Sequence, residues 1–300
     1  MIPFPIDKEG GGNGIMVARD TRKGRREMPR RSALRLVALV MATAIYSSSP
    51  ILATAHAYTE GAAGDASVEG VITFVGGLPP PGLFSVNKFS NSDYCSKVDS
   101  DGKGHRVVRD VVVSDGRLRD VVVYIRDVPH GKPITFHGAD VKANGCRFLI
   151  QGPSTSSGVI MRGSELRVLN EDADPTDPKA ASGVLHNPHG YEVRGRSRWS
   201  LFNRPLFEKG QTLTIVVIPE NGESIVYVEC DQHNYEHVTF LQAENPYYAI
   251  VGSDGTYAID RVPKGRYEMI AWHPTLGMQT RTVEVGESGK VTMDFEFTAR

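Results

Sequence analysis

From residue 66 onward the chain sets short apolar runs between Gly, Pro, Asp and Asn, and no helical period lasts longer than a turn or two. Period-two alternation predicts strands at 67–74, 107–113, 121–125, 164–169, 212–218, 224–229, 238–242, 256–259, 266–272, 280–285 and 290–297. Turn signals at Ser114-Asp115-Gly116, Ser253-Asp254-Gly255 and Glu287-Ser288-Gly289 space these runs as the antiparallel strands of a sandwich are spaced. Residues 78–82 (LPPPG) and 172–182 (DADPTDPKAAS) read as Pro-rich or polar connectors. The expected class is all-β. A composition break at Glu244-Asn245-Pro246 suggests that residues 58–244 form one domain and residues 245–300 a small second sandwich. A segment that short is marginal by itself, so it is expected to pack on the first domain or to borrow the early strand around Val71.

Ahead of the strands the pattern changes. Arg22, Lys23, Arg25, Arg26, Arg30, Arg31 and Arg35 precede an apolar run at 36–46 (LVALVMATAIY), which is too short to span a bilayer and is followed by Ala55-His56-Ala57. Basic flank, apolar run and A-x-A site occur in the order of a secretory signal, so residues 1–57 are expected to export the chain to the periplasm or beyond and to be removed before Tyr58. A buried core helix is the competing reading of the same run. Met28, followed by Pro29-Arg30-Arg31, makes a more ordinary start for such a signal than Met1, and the arginine pair also fits a twin-arginine type. No stable membrane span is expected in the mature chain.

Charge excludes more than it suggests. Lys and Arg number 34 against 35 Asp and Glu, so nothing in the overall balance recruits nucleic acid or an anionic membrane. The cysteines are Cys95, Cys146 and Cys230, and an oxidising compartment would pair two and leave one over.

The candidate chemistry begins at residues 224–230 (SIVYVEC), where alternation places Val226, Val228 and Cys230 on one face and Tyr227 and Glu229 on the other. A polar turn follows, and His233, three residues on, can fold back over the strand end toward the same sulfur. A buried cysteine beside a surface histidine gives the same spacing. Residues 184–190 (VLHNPHG) then offer His186 and His189, two of only nine histidines, three apart on a non-helical stretch; either could also be a solvated loop residue. A thiolate with two imidazoles is the donor set that favours copper, the sulfur supplying softness and the imidazoles suiting both oxidation states. Trp272-His273 reads as core packing. Serine-nucleophile and phosphate-cradling motifs are absent, since Gly76-Gly77 leads into prolines.

Taken in order, 122–125 (VVYI), 145–148 (GCRF), 185–187 (LHN) with His189, Phe202-Asn203, 228–231 (VECD) with His233, 245–249 (NPYYA), 253–257 (SDGTY), 262–265 (VPKG) and 271–277 (AWHPTLG) cover nearly the whole mature chain. In these residues the chain resembles the bacterial plastocyanin-like, cupredoxin-domain proteins that carry a carboxypeptidase-regulatory-like, transthyretin-like segment at their C-terminus. The resemblance implies a Greek-key β-sandwich binding one copper ion through His186, Cys230 and His233. A Cys/His/His copper held in a rigid sandwich changes oxidation state with little rearrangement, so one-electron exchange with a protein redox partner is the leading expectation, ahead of enzymatic turnover. Two departures stand out. Where the family continues the Cys-x-x-His loop with Pro-Trp-Met, the Met being the weak axial ligand, this chain reads Asn234-Tyr235-Glu236 and then His237. The family's Pro-His pair after Gly-Cys-x-Phe is replaced by Ile150-Gln151. Glu236 and His237 are therefore candidates for the fourth donor, and His189 for a further one. A non-blue copper site with a catalytic or small-ligand role is the alternative function, and a binding module with structural or no metal is a second. Cys95 and Cys146, both in turn-rich segments away from the metal motif, are expected to form a disulfide, which leaves Cys230 free to bind.

Overall fold

Apolar alternation builds two sandwiches here, and the computed structural model describes them over residues 57–220 and 224–299. The expected signal segment, from Met28 through the apolar run to His56, lies outside the described residues. In the first sandwich a five-stranded sheet runs in the order Ser157–Met161, His233–Ala243, Ile225–Cys230, Pro188–Arg194, Ser197–Asn203. It accompanies a four-stranded sheet ordered Phe148–Ile150, Gly138–Ala143, Glu165–Asn170, Thr212–Val216. Alternate residues of both sheets share one core, among them Val141, Phe148, Leu166, Val168, Val226, Val228, Val238 and Phe240. Cys230 belongs to that core, as the alternation of its strand requires.

Val122–Ile125 is apolar at every position because it is buried on both faces. Val123 and Ile125 enter the core of the second sandwich, while Val122 and Tyr124 join Val159, Met161, Leu241, Ile270 and Trp272 in a layer shared with the first. The strand lies between Tyr248–Ile250 and Gly265–His273. Asp65–Val75 plays the same part in another sheet, pairing with Thr256–Val262 antiparallel and with Ser288–Thr292 and Phe295–Thr298 in parallel. The strands beyond residue 245 thus complete their core with strands from the front of the chain, including the one around Val71. The described residues are all-β apart from the helix Ser92–Val98 and the short 3-10 turn Val86–Lys88. None of their helices is long and apolar enough to cross a membrane.

Departures from the expected strands have local causes. The run 290–297 splits because Asp294 Oδ1 accepts the Val71 N–H at 2.8 Å, a side chain taking the place of a ladder carbonyl. The run 107–113 also divides, His105–Val108 pairing with Gly82–Ser85 and only Val113–Ser114 continuing into the hairpin at Asp115-Gly116. Both hairpin residues have positive φ, 49° and 74°, as a two-residue connection of this kind needs. Pro188–Arg194 is a strand absent from the expected set, Pro188 and Gly190 being poor strand formers; Gly190 is there because the Phe202 ring lies over it, 2.1 Å from where a Cβ would stand.

Cys95 and Cys146 are joined as a disulfide with Cα atoms 5.6 Å apart, and Cys230 is free and buried. On the chain-entropy view a link across about fifty residues stabilises the fold by roughly 4 kcal/mol.

Candidate metal centre

Three pieces of irregular backbone bring the site together at one end of the first sandwich. Ile225–Cys230 delivers the Cys230 sulfur at its last residue. The next strand starts at His233, and Cys230 pairs with His233 while Glu229 pairs with His237, so the longer strand bulges over residues 234–236. In a regular strand His233 and Glu236 would face opposite ways; the bulge turns both inward. His186 arrives from outside any strand, pinned by two backbone hydrogen bonds to Leu206, 3.0 and 2.7 Å long.

His186, Cys230, His233 and Glu236 are buried, and one donor atom from each lies within 4.8 Å of the other three. His186 Nδ1 is 3.1 Å from Glu236 Oε2, His233 Nδ1 is 3.2 Å from Glu236 Oε1, and Cys230 Sγ is 3.6 Å from His233 Nδ1. The Asn187 N–H donates to the same sulfur at 3.3 Å. The contact between Glu236 Oε1 and His233 is an ion pair by distance but lacks hydrogen-bond geometry, so that oxygen is buried without a hydrogen-bond donor. An inward-facing carboxylate oxygen with no donor, beside a thiol and two ring nitrogens, is what a cation would complete.

Charge within the cluster is balanced internally. Burial would raise the Glu236 carboxyl, but the two imidazoles hold it down at about 2. Burial likewise opposes a charged ring at His233, yet the neighbouring Cys230 sulfur and the charge of Glu236 push it up to about 9. His186 is held well above the ordinary histidine range against its own desolvation, by the charge of Glu236 and the hydrogen bond to Asp172.

The outer nitrogens fix which ring atom faces inward. His186 Nε2 donates to Asp172 Oδ2 at 3.0 Å, and His233 Nε2 donates to the Ser90 carbonyl at 2.8 Å. A carbonyl can only accept, so His233 carries its proton on Nε2, and in both rings Nδ1 is left facing the cluster. The Tyr235 ring, 5.8 Å from that of His233, walls the site together with Phe84 and Phe89. Asp172, Ser90 and the wall of Phe84 and Phe89 went unread in the sequence. Asp172 stands among Asp174 and Asp177 in a connector, and nothing in its composition distinguishes it from them.

Of the six candidate ligands the fold brings together His186, Cys230, His233 and Glu236, and places His189 and His237 elsewhere. His237 follows the bulge on the opposite face, stacked on Tyr227 at 5.6 Å and 3.5 Å from Asp110. His189 pairs across the sheet with Glu229, on the face away from Cys230, and its Nδ1 lies 3.1 Å from Asp231. Cys95 Sγ is 3.6 Å from His233 Nε2, but as half of a disulfide it offers no thiolate. His273 is a core residue as expected: its Nδ1 accepts the N–H groups of Thr275 and Leu276, and burial pushes it down to about 4.

No family model matches this chain, and neither does any curated protein. Among solved structures, a Cu-containing nitrite reductase from Thermus scotoductus SA-01 superposes with a TM-score of 0.27 and 16% identity, over 39% of this chain and 24% of that one. The chain therefore spans about a quarter of that protein's length. A methionine-to-alanine variant of amicyanin, in its Cu(I) form, superposes with a TM-score of 0.25 and 14% identity over 37% of this chain and 86% of amicyanin. A reduced tryptophan-to-tyrosine variant of amicyanin gives the same TM-score, 0.25, and the same 14% identity.

Proposed function

We propose that this is an exported, cupredoxin-like protein that binds one copper ion through His186 Nδ1, Cys230 Sγ, His233 Nδ1 and Glu236, and that it exchanges single electrons with a protein partner. The observation that carries the reading is the buried convergence of those four donor atoms within 4.8 Å. Bound there, copper would supply a one-electron couple. The chain's own contribution is rigidity: the donors come from strand ends of a packed sandwich, and both rings are hydrogen-bonded on their far side, so the donors need move little between oxidation states. Asn187, whose N–H points at the sulfur, stabilises charge on Cys230. Export is supported by the basic and apolar N-terminal pattern and by a disulfide of the kind that persists outside the cytosol.

A small-ligand role is favoured by one observation. A cleft of about 520 Å³ includes Tyr235 and Glu236 in its lining and opens among Arg109, Arg119 and Arg147 with Asp110 and Asp120, so a small polar ligand could approach from the carboxylate side.

Metal analysis of the mature chain, offered equal copper and zinc, separates these readings from a metal-free binding module. One copper per chain with a sulfur-to-copper charge-transfer band is expected. Cys230→Ser should abolish that band while the protein stays folded, since the disulfide and both cores remain. His189→Ala and His237→Ala should leave copper affinity within a few-fold of the parent. Zinc retained in preference to copper, or a band that survives Cys230→Ser, would overturn the proposal.

A further inference from the structure

We infer that Asp172 and the Cys95–Cys146 disulfide form one positioning unit, which grips both imidazoles by their outer nitrogens and so sets how tightly the cluster holds its metal. The inference rests on the metal reading above and concerns residues that touch none of the inward-facing donor atoms.

One arm of the unit reaches His186. Gly145 and Cys146 both have positive φ, 61° and 53°, and this turn aims two successive N–H groups at Asp172, with lengths of 2.6 and 2.9 Å. Tyr94 donates its hydroxyl to the same carboxylate at 2.9 Å, and the fourth donor is His186 Nε2 at 3.0 Å. A non-glycine residue such as Cys146 holds that left-handed conformation only under constraint, and the disulfide supplies one. The other arm reaches His233. Cys95 sits in the helix Ser92–Val98, its N–H bonded to the Asn91 carbonyl, and the adjacent Ser90 carbonyl accepts His233 Nε2. The disulfide is thus the covalent tie between the groups that orient the two rings.

Arg106 reinforces the tie. Its side chain is fully buried and donates to the carbonyls of Asp99, Gly145 and Cys146, with a longer bond to that of Cys95, while its guanidinium lies 4.8 Å over the Tyr235 ring. A charged group held by carbonyls from both sides of the disulfide resists any sliding of one arm against the other.

Asp172→Asn tests the carboxylate with almost no change of shape. All four groups around Asp172 are donors, so an amide must place its own N–H₂ against some of them, and one ring or one turn loses its anchor. Copper affinity, measured by competition with a chelator, is expected to fall about 10- to 100-fold. The charge-transfer band should shift as the His186 ring reorients. Cys95→Ser with Cys146→Ser should weaken copper in the same direction, and Tyr94→Phe less. A readout that needs no copper is the slowly exchanging His186 Nε2 proton in the NMR spectrum of the copper-free protein, expected in the parent and exchanging measurably faster in Asp172→Asn, where at best a neutral amide oxygen holds it. Because the double serine variant could fail to fold, Asp172→Asn decides. If it folds, and binds copper with the parent's affinity and spectrum, the positioning unit is disproved while the metal site stands. A parent that takes up no copper overturns the function and this inference with it.

Discussion

Replacing Glu236 by Met is expected to move the copper band to longer wavelength and higher intensity and to raise the reduction potential. Glu236 is the residue where the chain leaves the pattern it otherwise resembles, and the fold turns its carboxylate toward both inward-facing ring nitrogens. A carboxylate is a hard, strong donor that would favour bound Cu(II), whereas a thioether would donate weakly and favour Cu(I) by comparison. A tenfold to hundredfold change in the relative affinity for the two oxidation states corresponds to about 60 to 120 mV for a one-electron couple. Glu236→Gln, which keeps the shape and removes the charge, should raise the potential by less and weaken Cu(II) binding. Optical spectra and redox titrations of the three proteins check this. A parent already intensely blue, with a potential that neither substitution moves, would show that Glu236 is no ligand and that its charge serves only the two rings.

That residue also marks the limit of what could be read from the chain. Cys230 was legible because its strand alternates without interruption, and period two alone puts the sulfur in the core. His233 followed from a turn too short to carry it far away. At 236 alternation fails: counted from His233 it assigns Glu236 to the outer face, and only the unpaired residues of the bulge bring it in. The Pro-His pair's absence and the lost Met signalled that the fourth position differs, without saying whether Glu236 or His237 fills it. Asp172 left no trace, because its role comes from the turn at Gly145-Cys146, distant in sequence and joined to it only by the folded chain. The same holds for the strands. Runs with clean alternation, such as 164–169, were recoverable, while Pro188–Arg194, whose Pro and Gly are poor strand formers, became a strand through its pairing on both sides.

Copper-free protein is expected to lose stability as pH rises from about 6.5 to about 9, and copper should restore it. His233 titrates near 9 in the fold and His186 well above its ordinary value, in both cases because Glu236, with Cys230 beside both rings and Asp172 beside His186, outweighs the cost of burial. A group whose folded pKa is raised contributes its full stabilisation below the unfolded value, near 6.5, and loses it as pH climbs through the folded value. For His233 the shift from 6.5 to about 9 corresponds to roughly 3 kcal/mol at 1.36 kcal/mol per unit. His186 adds to this in the same direction, though not in full, because one carboxylate serves both rings. Glu236 works at the other end: held at about 2, it stabilises above its usual range and fails as pH falls toward that value. The copper-free fold should therefore be most stable between about 4.5 and 6.5, which are the ordinary values of the two kinds of group. Copper needs the same Nδ1 positions that the ring protons occupy and a thiolate at Cys230, so binding releases up to three protons and its apparent affinity should rise steeply with pH across that window. Urea unfolding of the copper-free and copper-loaded protein from pH 5.5 to 9 measures both effects. Copper-free curves that superimpose at pH 6 and 9 would show that the two rings are neutral and that the charged cluster does not exist before metal arrives.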